Sequence, residues 1–334
     1  MLVAVCSVTF YVDPNFHFHK PFTDRFYYSL EEPRYTNDGI VKHFDYDALI
    51  TGSSMTHNFL ASDFDKLFGC SSIKVPFNAA TFFETNNVLK NAFKRRSLKY
   101  VIRSVDNDYL LRDKDYLLSQ ADYPEYMYNN NVFDDIKYLL NAKVVERSAK
   151  AILKKRQGID SFDEYCYFSD KFSFGKEFVL KSRNGAKFAA PGSARHLSES
   201  DKKMISDNVR QNFVEEALKH PETQFYYFFP PYSIVHWAFV MEEGGIEAFI
   251  ESEKIAIDLM LQCDNIHLFS FNTEFDMICD LGNYMDAVHY GAWINDKILR
   301  WMKDDVHRIT KENAGAILSA ERDFYSSFDY NSLF

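Results

Sequence analysis

Two short stretches of the chain contain the residue types that serine-based acyl chemistry requires. The first is Gly52-Ser53-Ser54, and the second holds Asp286 and His289, three residues apart. Side chains at that spacing can lie on one face of a single turn. A hydroxyl nucleophile needs a base, and a histidine base needs a carboxylate that fixes its tautomer. The sequence therefore predicts Ser54 as nucleophile, Asp286 as orienting carboxylate and His289 as general base.

Each stretch also has a purely structural interpretation. A serine at the start of a helix commonly caps it, and an Asp-x-x-His spacing alone is weak evidence of catalysis. His57 is a rival base, because it follows Ser54 by three residues and would share a side of the same turn. However, the sequence fixes no carboxylate beside His57 as it fixes Asp286 beside His289. The occurrence of both stretches in one chain favours the set of Ser54, Asp286 and His289.

These side chains need a framework that brings distant segments together. Residues 34–39 predict a turn that leads into a short buried strand at residues 48–50. Gly52 permits a tight turn, and apolar residues at helical spacing predict a helix over residues 55–68. A strand-to-helix turn of this kind would place Ser54 at the carboxyl edge of a sheet, where open α/β folds hold their sites.

The alternation of strands and helices continues and predicts an α/β fold with a parallel sheet and right-handed crossovers. The later strands are predicted at residues 72–77, 99–105, 224–229 and 265–271. The later helices are predicted at residues 84–96, 198–220, 245–263, 293–302 and 310–325. Residues 109–197 are predicted to be an aromatic insertion, with helices over residues 133–140 and 144–155, that covers the sheet edge and shapes a substrate groove.

Composition and charge narrow the classes of protein. The 334 residues suffice for one large α/β domain or two small ones. The net charge of -10, without a recognisable basic face, argues against a general nucleic-acid binder. The five cysteines form no C-x-x-C pair, and His17 and His19 lack a third ligand nearby, so no metal site is predicted. No glycine-rich phosphate loop occurs, and no cofactor is predicted.

Residues 1–12 are almost wholly apolar, and Asp13-Pro14 ends the run. This run is too short for a transmembrane helix, which needs about 20 residues. Two interpretations remain, namely the distal end of a membrane anchor that is incomplete in this sequence, or a buried first strand. We favour the anchor because the run reaches the first residue without a flank. The anchor interpretation predicts a membrane-anchored protein in which residues 13–334 form a single extracytoplasmic domain.

The two stretches resemble the first and last sequence blocks of the SGNH/GDSL hydrolase superfamily. Gly52-Ser53-Ser54-Met55 is similar to its GDS-like block, with Ser53 where Asp is usual, and Asp286-Ala287-Val288-His289 is similar to its last block. Residues 284–293 look especially like the D-alanine-transfer proteins of teichoic acid operons, which pair GSS with a similar D-x-x-H-x-G ending. The resemblance spans most of residues 45–305 in the order of elements and is motif-specific only at its two ends.

The resemblance implies a three-layer α/β/α flavodoxin-like sandwich and serine ester chemistry. It also implies an extracytoplasmic, membrane-tethered esterase or O-acyltransferase. Its substrate would be an acylated cell-envelope polymer, of glycan or teichoic type, or a small acyl ester, and its partner a membrane acyltransferase. The alternatives are a non-catalytic relative that binds such a polymer or partner, and an unrelated flavodoxin-like binding domain.

The oxyanion residues of the superfamily are matched less closely. Its second block supplies a glycine, whereas this loop reads Asn78-Ala79-Ala80, in which a backbone N–H can still donate. Its third block usually offers an asparagine, and this chain has Asp106-Asn107-Asp108. Because a carboxylate would repel an oxyanion, the expected donors are the N–H groups of Ser54 and Ala79 and the side chain of Asn107.

Overall fold

A six-stranded, mostly parallel sheet forms the centre of the fold. The computed structural model describes residues 2–118, 123–129 and 131–334. The strands are β1 (Tyr27–Tyr28), β2 (Ala48–Thr51), β3 (Ser72–Lys74), β4 (Tyr100–Ser104), β5 (Gly158–Ile159), β6 (Gln224–Phe229), β7 (Ile266–Ser270) and β8 (Arg308–Ile309). The central sheet has the order β3-β2-β4-β6-β7-β8, and β1 pairs separately with β5.

The predicted α/β fold with parallel pairing along the central sheet is confirmed. Strands β2, β3, β4, β6 and β7 all run parallel to one another. Ala48, Leu49 and Ile50 of β2 are fully buried, as expected for a parallel strand covered on both faces. Strand β8 pairs antiparallel with β7 at the edge. It was not predicted, because two residues give no periodic signal.

Helices occupy most of the connections between strands. They are α1 (Leu2–Val12), α2 (Pro33–His43), α3 (Ala61–Phe68), α4 (Phe82–Phe93), α5 (Glu125–Tyr128), α6 (Ile136–Leu139), α7 (Ala142–Leu153), α8 (Lys176–Val179), α9 (Glu199–Val209), α10 (Glu215–Lys219), α11 (Ile234–Glu242), α12 (Ile246–Met260), α13 (Phe275–Cys279), α14 (Ala292–Lys303) and α15 (Ala314–Ser327). The long helix predicted over residues 198–220 is confirmed, with a π-helical stretch, Arg210–Val214, between α9 and α10.

The prediction of a helix over residues 55–68 is wrong for the first half of this range. Ser54–Thr56 forms a 3-10 turn, and the α-helix begins only at Ala61. The side chain of Lys74 explains the delay, because its Nζ donates to the carbonyl oxygens of His57 at 2.7 Å and Phe59 at 2.9 Å. Carbonyls engaged in this way are turned out of the ladder of a regular helix.

The turn predicted at residues 34–39 is also wrong, because these residues lie in α2. Their polar side chains, which suggested a turn, are satisfied by buried tertiary partners instead. Asn37 donates to the carbonyl of Pro76 at 2.7 Å, and Asp38 accepts from Asn91 at 2.9 Å. Gly39 lets the chain at Asn15 cross the helix closely, since a Cβ there would lie 2.1 Å from the Asn15 carbonyl oxygen.

The apolar amino-terminal segment is helical, so its interpretation as a first strand is wrong. Helix α1 packs against α6 and α7, with Thr9 and Val12 buried. Among the described residues, no helix is both long and apolar enough to cross a membrane.

The region predicted as an insertion consists of short helices and loops that separate β4 from α9. Residues 119–122 and 130 of this region lie outside the described residues. The helices expected over residues 133–140 and 144–155 are present as the shorter α6 and as α7. Strand β5 ties the insertion to the amino-terminal part of the chain by pairing with β1.

Candidate active site

The turn that carries Ser54 follows β2 at the carboxyl edge of the sheet. Gly52 adopts a φ of 138°, and a Cβ at this position would lie 2.6 Å from the Ser104 hydroxyl oxygen. Only glycine fits there, because the residue needs both a positive φ and a close approach to β4. Ser54 and His289 both line an open cavity, and their side chains meet there.

Ser54, His289 and Asp286 form a continuous chain of hydrogen bonds. The Ser54 Oγ lies 2.7 Å from His289 Nε2, and His289 Nδ1 lies 2.7 Å from Asp286 Oδ2. The other carboxylate oxygen of Asp286 accepts from the backbone N–H groups of Val288 at 2.9 Å and His289 at 2.8 Å. The turn is further held by Ser233, whose hydroxyl donates to the Ala287 carbonyl at 2.7 Å. These bonds fix the imidazole facing the serine.

The protonation state of Asp286 favours a histidine that accepts from Ser54. Partial burial raises the pKa of the Asp286 carboxyl, but the hydrogen bond and charge of His289, with the backbone donors, outweigh it and lower the pKa below its usual value. A carboxylate at Asp286 holds the proton of His289 on Nδ1. His289 Nε2 is then the acceptor for the Ser54 hydroxyl, as a general base must be.

Ser53, the other hydroxyl in the turn, is engaged in the interior. Its Oγ donates to Asp106 Oδ1 at 2.7 Å. The same carboxyl accepts from Ser104 at 2.7 Å and from Tyr232 at 2.9 Å. Burial raises the pKa of Asp106, and these three donors oppose that effect. Ser53 is therefore a structural residue, whereas Ser54 faces the cavity.

His57 lines the same cavity but lacks the partners of a base. Its ring is buried, and Nε2 lies 3.3 Å from the carbonyl oxygen of Phe77. Burial, together with the nearby Lys74 and His289, lowers the pKa of His57 to about 3. A carbonyl partner fixes the proton on Nε2, so His57 is not arranged as His289 is.

Two of the three expected oxyanion donors are backbone N–H groups in turns that border the cavity. Ser54 lines the cavity, and Ala79 follows the lining residue Asn78. The N–H groups of Ser54 and Ala79 donate to no acceptor among the described residues. Ala79 has a φ of 48°, a strained backbone conformation of the kind found at functional sites. Its loop is pinned by Arg34, which donates to the Asn78 carbonyl at 3.2 Å and pairs with Glu84.

The role expected for the Asn107 side chain, as the third donor of this set, stays a prediction. Asn107 begins a 3-10 turn after β4 and lines a separate cavity, together with Ser252 of α12, Arg112 and Arg195. Among the described residues that line the Ser54 cavity, Asn107 does not appear. The preceding residue, Asp106, is buried and accepts a hydrogen bond from Ser53 at 2.7 Å.

The insertion supplies one wall of the Ser54 cavity, whose volume is about 290 Å³. The wall residues are Cys166, Tyr167, Phe168, Lys171 and Phe172, and Met285 and Asn78 complete the lining. Phe168 packs edge-on against the His289 ring, with centroids 5.7 Å apart. Sequence reasoning placed the insertion over the edge but did not find these residues, because an aromatic loop carries no periodic signal.

Backbone anchors connect this wall to the catalytic turns. The Asn58 side-chain oxygen accepts from the N–H groups of Phe168 at 3.0 Å and Ser169 at 3.1 Å. The Ser169 hydroxyl in turn accepts from the Ala292 N–H, just beyond His289, at 2.9 Å. The wall is thus tied both to the loop after Ser54 and to the helix after His289.

Buried Lys74 is a further positioning residue that sequence reasoning missed. Besides its bonds to the loop after Ser54, its Nζ donates to the Asp163 carbonyl of the insertion at 3.2 Å. Burial lowers the pKa of Lys74 to about 7. The available signal was a lysine among the apolar residues of a strand, where a buried cation needs several acceptors.

The remaining histidines and cysteines form no cofactor site in the described part of the chain. No group of three or more His, Cys, Asp or Glu side chains is placed to hold a metal ion there. His17 pairs with Asp135, and both ring nitrogens of His19 face backbone carbonyls. The five cysteines are all free thiols.

Comparison with known proteins finds only a distant structural similarity. No family model matches the chain, and no curated protein matches it. Among solved structures, it is similar to one described as a candidate platelet activating factor from Streptococcus pneumonia, with a TM-score of 0.39 and 9% sequence identity, over 83% of this chain and 91% of that chain. At that level of similarity, the function must be argued from the site itself.

Proposed function

We propose that this chain is an SGNH-type serine esterase or O-acyltransferase. The observation that carries the proposal is the unbroken path from the Ser54 hydroxyl through His289 to the Asp286 carboxylate, with 2.7 Å at each step. The serine end of this path opens into a cavity, and the carboxylate end is held by backbone donors. Such an arrangement activates a hydroxyl for attack on an acyl carbon.

The topology supports the assignment to the flavodoxin-like, three-layer sandwich of this superfamily. Numbered by their order in the chain, the strands of the central sheet run 2-1-3-4-5-6. The first five follow the doubly wound, flavodoxin-like order. The site lies outside the carboxyl end of the first of these strands, β2, where the order reverses, and this is where such sheets bind ligands.

The reaction that follows has two half-reactions. Ser54 gives its proton to His289 Nε2 while its Oγ bonds to the acyl carbon, and the ester C–O bond breaks as His289 returns the proton to the leaving alcohol. Water or an acceptor hydroxyl then attacks the acyl-Ser54 ester, with its proton passing to His289 and on to the Ser54 oxygen. The N–H groups of Ser54 and Ala79 are the proposed donors to the oxyanion.

An envelope polymer is the proposed acyl carrier, and the open cavity supports this choice. Its wall offers aromatic surface and one cation, Lys171, while Asn78 offers an amide. A cavity open at the surface admits one unit of a long chain without enclosing its ends. The proposal keeps the membrane-tethered, extracytoplasmic location and the membrane acyltransferase partner that the sequence resemblance implies.

Labelling with a fluorophosphonate tests the proposed chemistry directly. We expect a covalent adduct on Ser54, located by peptide mapping, and loss of both the adduct and the cleavage of a small acetyl ester in Ser54→Ala. His196→Ala is the matched control, because His196 also pairs with a carboxylate, Glu251 at 2.8 Å, but does not line the Ser54 cavity. An adduct on Ser53, or no adduct on folded protein, would refute the assignment.

A further inference from the structure

Helix α1 exposes apolar side chains although it packs on the rest of the molecule. It contains no acidic residue in its first turn and no basic residue in its last, and its sequence holds no charge at all. Val8 is 46% exposed and Phe10 is 50% exposed. Exposed apolar residues that cluster in this way mark an interaction surface rather than an ordinary solvated helix.

The part of the insertion that α1 contacts is exposed and apolar as well. Helix α1 packs against α6 and α7. Phe133, just before α6, is 87% exposed, and Leu153, at the end of α7, is 78% exposed. We define the α1–α7 face by six exposed apolar side chains, namely Val8, Phe10, Phe133, Ile136, Ile152 and Leu153.

The two parts of the α1–α7 face are fastened to each other. Asp13, directly after α1, accepts a hydrogen bond at 2.7 Å from Tyr138 of α6. His17 lies 2.8 Å from Asp135, the residue before α6. Phe18 packs between Phe10 and Tyr138 in tilted and edge-on contacts, with ring centroids 4.9 Å and 5.6 Å away. The exposed apolar side chains of α1 and α6 are therefore carried by one unit.

The segment that carries α6 and α7 has a net positive charge, whereas the chain as a whole is negative. Residues 131–156 contain seven Lys or Arg and three Asp or Glu, within a protein of net charge -10. Their cations include the exposed Lys143, Lys155 and Arg156. Apolar side chains bordered by cations complement an anionic, partly apolar surface, which is the character of a lipid headgroup region.

We propose that the α1–α7 face lies on a membrane surface that contains anionic lipid, with its apolar side chains in the headgroup region and its cations at the phosphates. This contact does not depend on the Ser54 chemistry, and it involves the folded insertion rather than a spanning segment. A second copy of this chain is a poorer occupant, because a symmetric contact would bring two sets of cations together.

Vesicle flotation with the full chain of 334 residues tests the proposal. We expect binding to vesicles of phosphatidylcholine with phosphatidylglycerol, little binding to phosphatidylcholine alone, and a loss of binding as salt is raised. The double variant Phe133→Ser, Leu153→Ser should weaken binding by about tenfold or more, because it removes apolar area from the headgroup region. The double variant Lys143→Glu, Lys155→Glu should weaken it by at least as much, because it replaces attraction to the anionic lipid by repulsion.

The matched controls are one apolar-to-serine substitution and one charge reversal outside the α1–α7 face. Leu218→Ser removes an apolar side chain that is 65% exposed on α10, and Lys187→Glu reverses an exposed charge in the loop after α8. Both controls should bind vesicles as the parent protein does. All variants should keep the parent thermal midpoint and cleave a small soluble ester at the parent rate, so a failure of membrane binding is distinct from a failure of the proposed activity.

Three results would overturn the proposal. The first is equal binding to both kinds of vesicle, and the second is unchanged binding of the two double variants. The third is a dimer in solution that Phe133→Ser, Leu153→Ser converts to monomer, because the face would then join two copies of the chain.

Discussion

Two histidine–carboxylate pairs in this molecule have nearly the same geometry in different surroundings. His289 Nδ1 lies 2.7 Å from Asp286 Oδ2, and His17 Nε2 lies 2.8 Å from Asp135 Oδ1. The second ring nitrogen of His289 faces the Ser54 hydroxyl. The second ring nitrogen of His17 is buried and has no hydrogen-bond partner among the described residues. Only the first pair can move a proton to or from a third group.

The surroundings separate the two pairs further. The side chains of His289 and Asp286 are 24% and 43% exposed, and His289 lines a cavity. Those of His17 and Asp135 are 6% and 17% exposed, between the amino-terminal segment and the insertion. A histidine–carboxylate contact is thus no evidence of catalysis by itself. A nucleophile on the far nitrogen and access for substrate are what give the His289 pair its proposed role.

Replacing His289 and His17 separately by alanine should produce the largest difference in kcat/KM between the two pairs. His289→Ala removes the base, so the kcat/KM for ester cleavage should fall by about 10³-fold or more. His17→Ala should leave kcat/KM near the parent value and lower the free energy of unfolding by about 1–3 kcal/mol, because a buried acceptor on Asp135 loses its partner. Steady-state kinetics and thermal unfolding of both variants provide the measurements.

Two results would contradict the assignment of His289 as the base. If His17→Ala, assayed while fully folded, lost as much activity as His289→Ala, the site would not be confined to the Ser54 cavity. If His289→Ala retained activity, the hydrogen-bonded path from Ser54 would be incidental.

Replacing the carboxylates Asp286 and Asp135 should give a difference in kcat/KM in the same direction, but a smaller one. Asp286→Asn keeps the shape of the side chain but can present its amide to His289 Nδ1, which favours the tautomer with the proton on Nε2. We expect a loss of about 10²–10⁴-fold in kcat/KM, because that tautomer cannot accept from Ser54. Asp135→Asn is the matched change at the structural pair, and its kinetics should equal those of the parent protein. Equal kinetics for both variants would remove Asp286 from the proposed triad.

The central elements of the site could be predicted because their signals are local. Gly52 and the serines follow an apolar strand directly, and Asp286 and His289 lie within one turn of chain. The parallel sheet was equally visible, since each of its longer strands is an apolar run bounded by loops. Chain order then sufficed to place both stretches at one edge of the sheet.

The parts that could not be predicted depend on tertiary partners. Asp106 is held in the interior by Ser53, Ser104 and Tyr232, and Asn107 lines a different cavity from Ser54. The delayed start of α3 depends on Lys74, which lies in a different strand. The wall residue Phe168 is placed by Asn58, a hundred or so residues earlier in the chain. None of these contacts leaves a periodic trace in the sequence.

A third histidine, His57, extends the comparison, and its replacement should have the smallest effect on kcat/KM. His57 lies in the same cavity as His289 but faces a carbonyl, that of Phe77 at 3.3 Å, instead of a carboxylate. His57→Gln keeps a donor for this carbonyl, so we expect kcat/KM within about tenfold of the parent value, since no transition-state contact is removed. A loss equal to that of His289→Ala would make His57 the base.

The pH dependence of stability gives His57 a separate signature. Its pKa is lowered to about 3 in the folded protein, mainly by burial, whereas the ordinary value is about 6.5. Between these values the unfolded chain binds more protons than the folded chain, so this residue makes the free energy of unfolding rise with pH from about 3 to about 6.5. His57→Gln abolishes that contribution, and the rise in thermal midpoint between pH 4 and pH 6.5 should be smaller in the variant. If the thermal midpoint of His57→Gln rose as steeply over this range as that of the parent protein, His57 would not be held in its neutral form by burial.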